Sequence, residues 1–295
     1  MTPSVATTDD ILAIAARLAG LDAAGAAVIR DGSNVMYRLP ASVVVWIGPE
    51  ETQAGAVRQV EVARWLAASG LPVVRALDGV AQPTMVGSRP VTWWELLPEH
   101  RAATTGELGA VLGALHALAP PEWLELPRFD PLAGIEERIV AATHLAEEDR
   151  AWLAERADQL RGHLRRLPLD AAEGVIHGDA WQGNVAVAQG APPVLLDFEH
   201  VCRGPWEWDL IPVAVDRVDF ARLSAGDYRD FVAAYGGYDV TARPAFRVLA
   251  DIQELRWVCF VLGKAAASDS AAHETRHRIA CLRGDIARPW TWNAF

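Results

Sequence analysis

Asp179, Asn184 and Asp197 are the residues of this 295-residue chain whose types and spacing point to chemistry. The first two stand in the run Val175-Ile176-His177-Gly178-Asp179-Ala180-Trp181-Gln182-Gly183-Asn184, and the third closes Val194-Leu195-Leu196-Asp197 ahead of Phe198 and Glu199. Phosphoryl transfer asks little covalent chemistry of a protein. It needs a carboxylate to receive the proton of an attacking hydroxyl, and oxygen ligands to hold Mg²⁺ across the phosphates. An Asp, an Asn five positions later, and a second Asp at the end of an apolar strand can supply both and would meet in one cleft. Taken singly, an Asp or Asn in a turn more often hydrogen-bonds its own backbone. The reading therefore rests on the set.

The elements that must position these residues follow from periodicity. The segment 175–198 reads as a non-helical island, with strands over Asn184 to Val187 and Pro193 to Phe198 around the turn Gln189-Gly190-Ala191. Upstream, an opening helix around Ile11, Leu12, Ala15 and Leu18 precedes a meander: Ala26 to Arg30, a turn Asp31-Gly32-Ser33-Asn34, Val35 to Leu39, and Val43 to Ile47. A helix with Val57, Val60, Ala63 and Leu66 on its apolar face then runs to Gly70, and the apolar runs Val73 to Leu77 and Pro90 to Leu97 follow. We place the domain joint at Pro98, giving an N-terminal part over 1–98 and a C-terminal part over 99–295. Beyond it the pattern is mainly helical: a capping box at Thr104 and Glu107, then stretches at Ile135 to Ala146, Glu148 to Leu164, Ala225 to Tyr235 and Ala250 to Ala267.

Composition bounds the partners. The formal charge of 27 − 38 = −11 disfavours nucleic acid and anionic lipid and is compatible with a cationic small molecule. Lys264 is the only lysine, so nearly all positive charge is arginine. Cys202, Cys259 and Cys281 form no metal-binding spacing and read as reduced structural thiols. No basic stretch followed by a continuous apolar run opens the chain, and the least charged stretch, Leu108 to Pro121, is too short for a bilayer span. A cytoplasmic protein without membrane partners is the expectation, and a monomer or a homodimer both fit.

The pattern HGDxxxxN at His177 to Asn184, the apolar strand ending in Asp197, Trp208-Asp209-Leu210 downstream and the strand and helix order of the N-terminal part together resemble the aminoglycoside phosphotransferase and choline kinase family. The resemblance covers roughly residues 20 to 295 and implies a two-lobed, protein-kinase-like α+β fold, with a small antiparallel-sheet lobe and a mainly helical lobe. It implies Asp179 as catalytic base, Asn184 and Asp197 as Mg²⁺ ligands, His177 as support of the catalytic loop and Asp209 as a structural residue steadying it. Glu61 would be the helix carboxylate facing the nucleotide lysine. Adenine would dock on backbone groups near Glu95 to Leu97. ATP, with GTP as the alternative, and Mg²⁺ are the implied cofactors, and the implied partner is a small-molecule hydroxyl acceptor, with an aminoglycoside-like antibiotic or amino sugar leading.

One position departs from the pattern. The strand Val43-Val44-Val45 ends at Trp46, where the family places a phosphate-contacting lysine or arginine. The replacement must be Arg38, on the neighbouring strand, or Arg58, on the helix carrying Glu61; Arg38 is favoured, because its strand and the preceding loop would cover the phosphates. His116, at the end of an apolar stripe, reads as a packed histidine and stays outside the site. The tryptophans Trp206, Trp208, Trp290 and Trp292 read as core before they read as a ligand wall. Among the acidic residues following the metal segment, Glu199 and Glu207 are candidates for contacting a cationic acceptor, beside Asp216, Asp219, Asp251 and Glu254. Trp46 keeps a second class of function open, a pseudokinase binding a ligand or partner through an impaired nucleotide site. Metal-dependent hydrolysis is a third.

Overall fold

The computed structural model describes residues 7–32, 34–167 and 173–295. Ser33 of the expected turn and the opening six residues lie outside them. The chain forms two compact units that interleave in sequence: 1–103, 118–126 and 182–201 make the first, and 104–117, 127–181 and 202–295 the second. The first crossing falls just past Pro98, but part of the expected C-terminal half returns to the first unit. Among the described residues no helix is long and apolar enough to cross a membrane.

The first unit holds a five-stranded antiparallel sheet of order β1-β2-β3-β5-β4, with β1 at Ala27–Arg30, β2 at Val35–Leu39, β3 at Val43–Ile47, β4 at Thr84–Val86 and β5 at Arg89–Glu95. Alternation sets its faces. Val35, Tyr37, Leu39, Val43, Val45, Ile47, Val91 and Trp93 turn to one side and pack on Ile11, Leu12, Ala15 and Ala16 of α1 (Thr8–Ala19). The Tyr37 hydroxyl donates to Asp9 at 2.7 Å and ties the helix to the sheet. Met36, Val44, Trp46, Thr92 and Trp94 turn to the other side, with Trp46 in register between Met36 and Thr92. The helix α2 (Gln53–Ala68) follows β3 and buries Val60, Val62, Ala63 and Leu66.

Val73 to Leu77, the first of the two apolar runs, makes only single bridges, Val73 to Leu195 and Ala76 to Trp94. Its two ends serve different partners, so no ladder propagates. A short sheet completes the unit: β6 (His100–Ala102) pairs with β8 (Val185–Ala188), which pairs with β9 (Val194–Leu195). Leu195 N–H donates to Pro72 O at 2.9 Å and Val74 N–H to Leu195 O at 3.0 Å, which fastens this hairpin into the unit.

The second unit is helical around a two-stranded ladder of β7 (Glu173–Ile176) and β10 (Cys202–Pro205). Its helices are α3 (Thr105–His116), α4 (Ile135–Ala141), α5 (Glu147–Leu164), α6 (Glu207–Val218), α7 (Ala225–Tyr235), α8 (Phe246–Ala265) and α9 (Asp269–Arg283). The capping box at Thr104 and Glu107 forms as expected. The helix expected to reach Ala146 stops at Ala141, and α6 and α9 had no sequence expectation. The three cysteines are free and buried, and burial pushes the Cys259 thiol up to about 12. Trp290 and Trp292 are buried against Phe220, consistent with core packing.

Helices α3 and α7 approach closely because α3 presents glycines. A Cβ at Gly109 would stand 2.6 Å from the Phe231 carbonyl oxygen and 3.3 Å from the Tyr235 nitrogen. Backbone cannot swing aside as a long side chain can. Gly109→Ala is therefore expected to destabilise the protein by about 1–3 kcal/mol, the usual effect of overpacking, read as a lower urea midpoint.

Candidate active site

Strand β7 delivers the sequence motif to the second unit. His177, which follows it, is 0% exposed, Gly178 takes φ 82, and Asp179 is exposed. The turn is held from inside by Asp209, in the first turn of α6 and itself 0% exposed. Its carboxylate accepts from the backbone N–H of His177 at 2.6 Å and of Gly178 at 2.9 Å. Trp208 Nε1 donates to Gly178 O at 3.1 Å, so both sides of the Gly178 peptide neighbourhood are fixed. His177 Nδ1 lies 3.4 Å from the Asp179 N–H, folding the ring back on its own turn.

A carboxylate in the interior needs several donors to offset lost hydration. Asp209 finds its third in His116 Nε2 at 3.0 Å, and His116 Nδ1 lies 2.8 Å from the Tyr235 hydroxyl. Burial, with the Asp209 and Glu207 carboxylates, pushes the Tyr235 phenol up. The hydroxyl and the Asp209 carboxylate between them engage both ring nitrogens of His116. His116, left out of the site on sequence, thus belongs to the support of the turn that carries Asp179. Arg256 of α8 is a second residue that sequence reasoning missed. It donates to Pro131 O at 2.9 Å and stands 5.6 Å from the Trp208 ring centroid. Burial and Arg138 lower its pKa, while the Asp179 and Asp130 carboxylates oppose them.

The chain enters the first unit at Gln182, and there the two remaining residues of the set lie side by side. Ala103 N–H donates to Val185 O at 3.0 Å, and Leu196 N–H donates to Asn184 O at 2.9 Å, which places Asn184 across the hairpin from the residue before Asp197. Strand β9 ends at Leu195 rather than Phe198 because Asp197 adopts φ 58, a left-handed conformation uncommon for a residue with a side chain. Phe198 is buried beside Trp94, with ring centroids 6.3 Å apart. An amide oxygen and a carboxylate are hard donors suited to Mg²⁺, which takes one or two protein ligands and shares the rest of its sphere with phosphates and water. Among the described residues no three His, Cys, Asp or Glu side chains group into a metal cage. The donor set fits a metal held jointly with a phosphate ligand.

A cavity of about 330 Å³ opens in the same unit, lined among others by Trp46, Thr52, Arg58, Thr92, Glu199 and His200. The structure sorts the remaining expectations against it. Arg38 is exposed, pairs across from Val44 and is not among the lining residues; Arg58 is. Glu61 is exposed on α2 and also stands outside the lining, which takes the helix's first two turns. Glu199, expected at the acceptor, lies on this cavity. Glu207 is 1% exposed and accepts from the Tyr238 hydroxyl at 3.2 Å, an interior residue and not an open acceptor contact. At the joint, Glu95 N–H donates to Arg75 O and Leu96 N–H to Ser42 O, whereas the Leu97 N–H meets no acceptor among the described residues.

With this geometry in place, comparison with known proteins is informative. The family model described as Phosphotransferase enzyme family matches residues 20–249. A homoserine kinase of Neisseria meningitidis serogroup B is 29% identical over 185 residues, 61% of this chain; the match spans about half, 51%, of that protein. Among solved structures, an amicoumacin kinase in complex with AMP-PNP, Ca²⁺ and its ligand superposes with TM-score 0.73 at 15% identity, covering 95% of this chain and 94% of that one. A choline/ethanolamine kinase family protein from Mesorhizobium loti gives 0.65 at 19% identity, with 95% of each chain covered. These likenesses show a kinase-like α+β fold. The family match covers well over half of the sequence, and the chain belongs to the phosphotransferase enzyme family.

Proposed function

We propose that this protein is an ATP- or GTP-dependent small-molecule kinase that phosphorylates a hydroxyl group. The observation that carries this reading is the exposed Asp179 at the head of a turn whose backbone is clamped by the buried Asp209. In the proposed reaction a bond forms between the acceptor oxygen and the γ-phosphorus, the γ-phosphorus to bridging-oxygen bond breaks, and the nucleoside diphosphate leaves. Asp179 receives the hydroxyl proton at a carboxylate oxygen. Asn184 and Asp197 are the residues that would hold Mg²⁺, which when bound neutralises charge on the phosphates. Asp209, through His177 and Gly178, keeps Asp179 from reorienting between turnovers, and the unpartnered Leu97 N–H is a donor available to a base edge.

Homoserine, choline and ethanolamine each combine a hydroxyl with a cationic nitrogen, and a chain of charge −11 suits such acceptors. An aminoglycoside-like antibiotic or amino sugar is the leading acceptor class, supported by the family resemblance. Trp46 favours the second reading, a ligand-binding pseudokinase.

Two substitutions separate these readings. Asp179→Asn should lower turnover by at least about 100-fold, the scale of general-base loss, while calorimetric nucleotide affinity stays within twofold of the parent. Full activity in that variant would refute its role as base. Asp197→Ala should abolish the Mg²⁺-dependent part of nucleotide binding; a parent protein that binds neither ATP nor GTP would favour the pseudokinase.

A further inference from the structure

If the cavity beneath β3 receives nucleotide phosphates, some cation must meet them, and the strand offers only Trp46. Lys264 lies on α8 in the other unit. Arg58 is the lysine or arginine among the residues lining the cavity. Among the described residues its guanidinium has no carboxylate within ion-pair distance, Glu199 of the same lining included, and its Nε is shielded from water without an acceptor. The Trp46 Nε1 is in the same condition. A shielded donor without an acceptor is destabilising, and here two such donors belong to residues that border one cavity. Gly55 adds an independent observation. It lines the cavity within α2, and a Cβ there would meet Arg58 Nη2 at 4.0 Å, an ordinary van der Waals distance, which puts the guanidinium beside the first turns of the helix. A helical glycine is destabilising relative to alanine, and this one leaves the first turns of α2 without a side chain at that point of the cavity lining.

We propose that Arg58 is the phosphate-contacting cation of this protein, reaching the nucleotide from α2, with Trp46 packing where a strand lysine would otherwise extend. The proposal deepens the kinase reading and rests on it. A guanidinium presents a planar fork that can grip two phosphate oxygens, and it needs no helix carboxylate to aim it. The exposed position of Glu61 follows: with the cation on the helix itself, the helix glutamate has no strand lysine to hold.

The test is calorimetric titration of the intact protein with Mg·ATP, Mg·GTP, adenosine and guanosine, on the parent, Arg58→Gln, and Arg58→Gln combined with Trp46→Lys. The expected result is a loss of about 10- to 100-fold in triphosphate affinity in Arg58→Gln, the worth of a charge-assisted hydrogen bond. Nucleoside affinity should be unchanged, which also reports an intact fold, and the strand lysine should recover triphosphate affinity. Unchanged triphosphate affinity in Arg58→Gln, or an equal loss for nucleoside and triphosphate, overturns the assignment while leaving the kinase reading in place. A parent that binds no nucleotide removes the kinase reading itself, and this proposal with it.

Discussion

A carboxylate withdrawn from water must be surrounded by donors, and in this protein the donors around Asp209 include the backbone of the turn that carries Asp179. Two of its hydrogen bonds go to consecutive peptide N–H groups, His177 and Gly178, and the third to His116. The same contacts that satisfy the buried charge fix the direction in which the chain leaves β7. Asp179 is exposed because its predecessors are anchored, and the chain's next residues start from a defined point. If Asp209 were apolar, the turn would lose two acceptors at once and its peptides would have to find water instead.

Asp197, proposed as a metal ligand, depends on a different constraint, local backbone strain. Asp197 holds φ 58, which ends β9 and separates the carboxylate from the strand it terminates. Such a conformation persists only where neighbours over-determine it. Here they are visible: Leu195 is fastened to Pro72 and Val74, Leu196 to Asn184, and Phe198 is buried beside Trp94. The strain sits between two well-anchored residues, at the position proposed to hold the metal.

What the sequence made legible was local. The strands Val35–Leu39 and Val43–Ile47 could be read to the residue because alternation leaves no other face to bury. The spacing from Asp179 to Asn184 was legible because the two stand five residues apart in one short segment of chain. Helix α6 escaped because Pro212 stands inside it, where a proline reads from sequence as an interruption of any helical period. Helix α9 is polar over most of its length and offers equally little period. His116 meets Asp209 across 93 residues, and nothing local announces such a contact. Arg38 and Arg58 were separable only once the packing of α2 on the sheet showed which of them borders the cavity.

The close crossing of α3 and α7 reaches further than helix packing. One helix carries His116 at its last position and the other Tyr235 at its last position, so the clearance set at Gly109 also sets the span over which the Tyr235 hydroxyl reaches His116 Nδ1. That hydroxyl orients the imidazole that orients Asp209, and Asp209 orients the turn. A glycine with no polar atom beyond its backbone therefore acts as a spacer in a mechanical linkage ending at the turn that carries Asp179. Widening it by one methyl group would propagate to the carboxylate proposed as the base, so kinetic sensitivity is expected at a helix crossing far along the chain from that residue.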